Sequence, residues 1–317
     1  FWLAKPMIQA WKTAKSPDHD SEWLFAKKDG SKGTFSSLYA ASEKYISLII
    51  PAYNEEARMS PMLDEMMVFL ESRAAKDRAF TYELIIVDDG SKDRTANIAL
   101  EYTQRYGDDI VRLCKLYKNC GKGGAVRKGM MRARGRYLLM VDADGATQAS
   151  CLEQMMTQIQ TIEKNGLGIA VGSRAHLHEE DSTAKRKWYR TVLMHGFHLL
   201  VSMVIGGGGI KDTQCGFKLF SRNAAMRIFP NQHIERWAFD VELLFLAARQ
   251  GVPAVEVPVN WCEVDGSKVD VLSDTISMAR DLIMIRLCYL LGIWKYSDIS
   301  VNKQVFRTNN KAIKQAQ

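Results

Sequence analysis

The stretch Ile46-Ser47-Leu48-Ile49-Ile50-Pro51-Ala52-Tyr53-Asn54-Glu55-Glu56 decides the fold. Its first five residues are almost wholly apolar, Pro51 ends the run, and a polar cluster follows at once. That is the pattern of a strand buried on both faces. The same alternation continues downstream. Arg58 to Arg73 has the spacing of an amphipathic helix, and Tyr82 to Val87 is a second apolar run, stopped by Asp88-Asp89-Gly90-Ser91. A helix over Asp93 to Tyr106, a strand over Ile110 to Tyr117, a helix over Gly123 to Arg134 and a strand over Arg136 to Val141 come next. A helix over Ala149 to Lys164 and a strand over Leu167 to Val171 complete the series. Apolar strands alternating with helices predict an α/β fold, a mainly parallel central sheet flanked by helices. Ligands of such sheets bind beyond the carboxyl ends of the strands. Tyr53-Asn54-Glu55-Glu56, Asp88-Asp89 and Asp142-Ala143-Asp144 are therefore expected along one edge.

After residue 175 the rhythm breaks. A basic helix carrying Lys185, Arg186, Lys187 and Arg190 leads into residues 192–210, which lack Asp, Glu, Lys and Arg but contain Gly206 to Gly209. That stretch fits a buried or interface-lying helix better than a spanning one. Gly216 to Ser221 and Ala254 to Val259 read as strands, Phe239 to Gln250 as a helix, and Asp274 to Leu291 as a final, very apolar helix carrying Arg280 and Arg286. The chain thus divides into a polar, membrane-proximal lead-in (1–44), the alternating domain (45–260), and a C-terminal membrane-associated helix with a polar tail (261–317). Phe1-Trp2-Leu3-Ala4-Lys5-Pro6, followed by Lys12 and Lys15, resembles the border of a transmembrane helix; a frayed amphipathic terminus is the other reading.

Composition narrows the function classes. Lys and Arg number 43 against 36 acids, for a net charge of +7, which suits an anionic ligand or membrane face. The basic residues are dispersed among acids and no nucleic-acid-binding module is present, so nucleic acid is excluded as a partner. Six scattered cysteines without a CxxC pair exclude a disulfide scaffold and a zinc site, and read as reduced thiols.

Four clusters can carry chemistry. In an extended segment residues i and i+2 share a face, so Asp142 and Asp144 can aim both carboxylates at one spot. Oxygen-only ligands suit Mg²⁺ or Mn²⁺ shared with a diphosphate; an isolated DxD triplet is more often a solvated turn, and the strand before this one argues for a site. Asp108-Asp109 and Glu179-Glu180-Asp181 lie in polar surroundings and read as surface turns. A carboxylate at Asp88 or Asp89 can accept from a nucleobase or ribose, or cap a helix as Ser91 and Asp93 also can. Asn119-Cys120-Gly121-Lys122-Gly123-Gly124-Ala125 opens a helix where glycines, Lys122 and free backbone N–H groups favour phosphate. It matches neither GxxxxGK[ST] nor GxGxxG. Arg236-Trp237-Ala238-Phe239-Asp240 gathers a base, an aromatic and an acid at a helix start, where capping and core packing are the alternative reading. His176-x-His178-Glu179 has no common metal spacing and reads as surface.

In this order the motifs Pro51-Ala52-Tyr53-Asn54-Glu55-Glu56, Val87-Asp88-Asp89-Gly90-Ser91, Asn119-x-Gly121-Lys122-Gly123-Gly124-Ala125 and Asp142-Ala143-Asp144 resemble family-2 glycosyltransferases of the GT-A, Rossmann-like fold. Later segments resemble the eukaryotic dolichyl-phosphate β-glucosyltransferases among them. These are Asp144-Gly145-Ala146-Thr147, Gly172-Ser173-Arg174-Ala175-His176, Asp212 to Phe220, Arg236 to Glu242 and Gly266-Ser267-Lys268.

The resemblance implies inverting transfer of glucose from UDP-glucose to dolichyl phosphate with Mg²⁺ or Mn²⁺. It also implies an N-terminal anchor and a site on the cytosolic face of the endoplasmic reticulum membrane. It assigns Pro51, Ala52, Tyr53, Glu55, Asp88, Asp89, Gly121, Lys122, Asp142 and Ala143 to the nucleotide, and Asp142 and Asp144 to the metal. Arg174, Lys218, Arg236 and Lys268 are the candidates for the acceptor phosphate, and Asp212 and Asp240 for glucose hydroxyls or for orienting those cations, with a base role for one of the two acids left open. Residues 192–205 and 274–291 would guide the lipid chain. Two other readings stay open: a mannosyl transfer from GDP-mannose to dolichyl or polyprenyl phosphate, and a sugar-nucleotide-binding protein without turnover. Oligomeric state is not legible.

Overall fold

The computed structural model describes residues 17–176, 209–264, 271–300 and 302–304. The basic helix at 185–190, the apolar stretch 192–205, His178, Glu179, Lys268, the N-terminal aromatics and the tail beyond 304 lie outside the described residues.

Seven strands form one sheet. In chain order the elements are a hairpin of β1 (Leu24–Ala26) and β2 (Lys32–Thr34), then β3 (Lys44–Ala52), α1 (Met59–Lys76), β4 (Tyr82–Asp88), α2 (Thr95–Tyr106), β5 (Val111–Lys115), α3 (Gly121–Met130), β6 (Gly135–Met140), α4 (Cys151–Ile162) and β7 (Ile169–Ser173). After these come β8 (Lys218–Ser221), α5 (Arg222–Ile228), α6 (Phe239–Arg249), β9 (Ala254–Pro258) and α7 (Val271–Leu290). The sheet order is β5-β4-β3-β6-β8-β7-β9, outside the separate β1-β2 pair. Only β8 runs antiparallel, against both β6 and β7.

Strand alternation divides the core into two layers. Ile46, Leu48 and Ile50 pack with α1, α2 and α4 on one face. Ile49, Ile85 and Val87 face α3, α5, α6 and α7 on the other. Continuous apolar strands are what a sheet covered on both faces requires, and the expected mainly parallel architecture is present. None of the described helices is long and apolar enough to cross a membrane.

Three features differ from the sequence reading. The lead-in is packed from residue 17 on: Phe25, Phe35 and Leu38 enter the core, and buried Glu22 pairs with Lys128 and Arg132 of the α3 region. That ion cluster fixes the helix whose start carries Lys122. The turn residues Asp29 to Gly33 close the hairpin, with the Lys27 amide donating to the Ser31 carbonyl at 2.8 Å. Helix α5 is unanticipated; Ser221 caps it by accepting from the Ala224 amide. All six cysteines are unpaired, and only Cys262 is exposed.

Candidate active site

Register brings the strand ends together. Ala52 pairs with Asp88, and β6, on the other side of β3, ends two residues before Asp142. Because β8 is reversed, its first residue reaches the same edge: Lys218 sits between Met140 and Val171.

The loops after β3 and β4 are stitched to each other. The Asn54 amide donates to Ser91 Oγ at 3.0 Å, and Asn54 Oδ1 accepts from the Lys92 amide at 2.8 Å. The Glu55 amide donates to Thr95 Oγ1 at 2.7 Å, while its carboxylate grips Arg58 through two 2.8 Å bonds. Asn54 takes a left-handed conformation, φ 53°, which Asn tolerates better than most residues. Beside this loop Pro51 is half-buried, Ala52 buried and Tyr53 exposed.

The two aspartates after β4 are engaged differently. Asp88 is fully buried; one oxygen accepts from the Ser91 amide at 3.0 Å, and the other has no partner among the described residues. Asp89 accepts from the Cys120 and Gly121 amides at 2.6 and 2.9 Å, so both of its oxygens hold the start of α3. Burial pushes its carboxyl up to about 6 in spite of those donors. Gly121 has φ +78° and lies so close to the chain that an added Cβ would stand 2.6 Å from the Glu235 carbonyl. That approach sets α3 against the 235–236 segment and brings exposed Arg236 alongside.

A charge array runs from these loops along the same edge of the sheet. Lys122 Nζ lies 2.7 Å from Asp142. Burial works against the Lys122 charge, but Asp142, Asp240 and Asp144 outweigh it and hold its ammonium above the usual range. The Asp144 carboxyl is raised by burial and by the like charge of Asp142, although the Ala146 amide donates to it at 3.0 Å. Ala143, between the two acids, is buried. Deeper in, Lys218 Nζ donates to Asp240 and to the Cys215 carbonyl, both at 2.6 Å. Burial raises the Asp240 carboxyl, with Lys218 and Lys122 opposing. Beside the array Arg174 grips Asp212 through bonds of 2.7 and 3.0 Å and lies over the Trp261 ring. Burial disfavours both charges, yet the pairing holds Arg174 above and Asp212 below their ordinary ranges.

The structure therefore gathers Asp142, Asp144, Lys122, Asp240 and Lys218 in one place, with Arg174 and Asp212 next to them. Asp89 serves α3, and Lys218 is sealed at 0% exposure. Sequence reasoning missed Arg58, whose charge acts on Asp144, and Trp261 beneath Arg174. It also missed Gly216, where any Cβ would overlap the Asp142 carboxylate; in the sequence it only opens the expected strand Gly216 to Ser221, which starts at Lys218 in the structure. We expect Gly216→Ala to lower kcat/KM by at least about tenfold by displacing Asp142, with little change in melting temperature. Unaltered kinetics would show that the Asp142 position is not critical.

The array holds three carboxylates (Asp142, Asp144, Asp240) against two ammoniums (Lys122, Lys218). A raised Asp144 beside a second acid is an environment that a divalent cation would relieve. Among the described residues no cluster of three His, Cys, Asp or Glu side chains could hold a metal alone.

A sequence model of glycosyl transferase family 2 matches residues 47–229, from β3 through α5. This chain belongs to glycosyl transferase family 2. As a family-2 enzyme it has relatives over most of its length, each named a dolichyl-phosphate β-glucosyltransferase. That of Dictyostelium discoideum is 51% identical, covering 84% of this chain and 83% of the relative. The Homo sapiens protein is 48% identical over 87% and 86%, and the Saccharomyces cerevisiae protein 43% over 80% and 77%. Glucosyl-3-phosphoglycerate synthase of Mycobacterium tuberculosis, solved with Mn²⁺ and UDP-glucose, superimposes with a TM-score of 0.52 at 18% identity, covering 81% of each chain. At that identity the likeness is one of fold. This family-2 glycosyltransferase thus has the expected fold.

Proposed function

We propose that the chain transfers glucose from UDP-glucose to dolichyl phosphate with inversion, at the membrane surface. The observation that carries this reading is the Asp144-Asp142-Lys122-Asp240-Lys218 array along the strand-end edge of the sheet, in a chain whose relatives are named dolichyl-phosphate β-glucosyltransferases. The unpartnered Asp88 oxygen suits an N–H of uracil, and the 51–55 loop lies beside it. Lys122 and the start of α3 face the diphosphate. Asp142 and Asp144 would hold Mg²⁺ or Mn²⁺, which, when bound, neutralises charge gathering on the departing nucleoside diphosphate.

The acceptor is a phosphate monoester with a second pKa near ~6, so it is largely ionised at neutral pH and needs little help from a base. It needs cations that bring one anion up to another. Arg236 is exposed beside the start of α3, and Arg174 is held by Asp212 with its side chain 25% accessible. Lys218 acts from behind by holding Asp240, which is left to meet glucose hydroxyls. The chain then works at the cytosolic face of the endoplasmic reticulum, where its lipid acceptor is presented.

A donor panel with dolichyl phosphate tests this. We expect UDP-glucose to exceed GDP-mannose in kcat/KM by at least about a hundredfold, since a pocket that hydrogen-bonds one base rejects another strongly. Preferential mannose transfer, or tight UDP-glucose binding with no lipid product, would overturn it.

A further inference from the structure

A second site lies at the far end of α6. Arg249 is nine residues along that helix from Asp240, roughly 14 Å at the α-helical rise. There the last turns of α6 and α7 and the segment after α7 enclose a cavity of about 500 Å³. Arg249, Arg286 and Lys295 line it together with Tyr289, Trp294 and Tyr296. The three cations are exposed, and none forms an ion pair among the described residues. Arg249 lies over the Phe245 ring. Among the described residues no acid lines the cavity. Glu242 is buried behind Tyr289 and accepts from its hydroxyl and from the His233 and Ile234 amides. Asp298 stands on the same segment without lining the cavity.

Around the rim the protein leaves large apolar side chains in water. Leu290 is 75% exposed, Leu291 61% and Tyr296 48%. The Trp294 ring stacks on His233 and is fixed. Cations, amphipathic aromatics and bare leucines at one place are the composition of a bilayer interface: the aromatics sit at headgroup depth, the leucines among acyl carbons and the cations against phosphates. The volume is in the range of small-ligand sites. A free anion would account for the cations and leave the leucines unexplained; an apolar partner would leave the cations unmatched.

We propose that this cavity binds the headgroup of an anionic phospholipid and so seats the enzyme on the membrane, apart from the acceptor site. The inference shares the membrane-surface part of the function above and is independent of the sugar donor.

Flotation of the 317-residue chain with vesicles of phosphatidylcholine, pure or mixed with phosphatidylserine, reads it directly. Each cation at a charged surface contributes about a fivefold gain, so Arg249→Ala/Arg286→Ala/Lys295→Ala should weaken partition onto the mixed vesicles about a hundredfold. Arg249→Lys/Arg286→Lys/Lys295→Arg should keep most of the binding, which separates charge loss from misfolding. Removing three cations elsewhere, with Lys28→Ala/Lys32→Ala/Arg78→Ala, should change partition by no more than about twofold. A titration with UDP in solution reports on the strand-end site, so donor binding can fail without touching this result. Equal capture by neutral vesicles, equal binding by the alanine triple, or an equal loss from the distant triple would each overturn the proposal.

Discussion

Asp144→Asn should reduce kcat/KM for glucosyl transfer by about a thousandfold or more, while the cation-free protein keeps or gains stability. The two expectations have one cause. Burial and the neighbouring Asp142 charge hold the Asp144 carboxyl above its ordinary range. A carboxyl whose folded-state pKa is raised takes up a proton in the fold before it does in the unfolded chain. Its ionised form therefore subtracts stability as pH rises through that window. Asn removes the charge at nearly constant shape and can keep the acceptor for the Ala146 amide, so the melting temperature without metal should stay level or rise. The same substitution removes the oxygen that would face the diphosphate across a divalent ion. Losses of charge stabilisation at a transition state run to factors of hundreds to thousands. A protein that gains stability by losing an active-site charge is the usual sign of a site held in strain for function. Adding Mn²⁺ with UDP should raise the melting temperature of the parent chain and leave that of Asp144→Asn where it was, because only a ligand that binds the folded state shifts the midpoint. Wild-type turnover by the variant, or an equal Mn²⁺ shift in both proteins, would remove the metal from Asp144.

How much of this could be read in the sequence follows from where each signal is stored. The parallel strands were legible because a strand buried on both faces must be apolar at every position, as Leu84-Ile85-Ile86-Val87 is. Their carboxyl ends then located Asp88, Lys122 and Asp142 at one edge by topology alone. Direction is not written in four residues: Lys218 to Ser221 carry no mark that β8 is reversed, yet the reversal is what delivers Lys218 to that edge. Division of labour between adjacent acids is also unwritten. Asp88 and Asp89 are chemically alike, but Asp89 falls within reach of the Cys120 and Gly121 amides, a contact across 31 residues of chain. The same is true of Glu22, which reads as a lead-in acid until Lys128 and Arg132 close over it. Long-range partners decide which polar residues are scaffold and which are site.

Lys218 is the sharpest instance, and the second large effect is expected there. As a cation in a Gly-Phe-Lys run it reads as a contact for the acceptor phosphate, in which case Lys218→Met would raise KM for the lipid and spare the fold. The buried position dictates another outcome. Its ammonium is enclosed at 0% exposure and is satisfied by Asp240 and the Cys215 carbonyl. Methionine fills the volume but leaves Asp240 inside the protein facing only Lys122, with Asp142 repelling it. Removing one partner of a buried ion pair destabilises by about 3–5 kcal/mol, visible as a lower midpoint in urea at an unchanged slope. The Asp240 carboxyl, already raised by burial, should rise further. The folded variant would then bind a proton that the unfolded chain does not, and the stability deficit should shrink as pH falls towards the ordinary carboxylate range and widen as pH rises. Adding Asp240→Asn removes the stranded charge, so the double variant should recover part of the loss, a coupling that a mutant cycle measures. Turnover should fall with either single change, because Asp240 also lies within the electrostatic reach of Lys122 and its displacement disturbs the whole array. A Lys218→Met protein with parental stability at every pH and a raised KM for the lipid alone would place the ammonium in contact with the acceptor and refute the buried-anchor role.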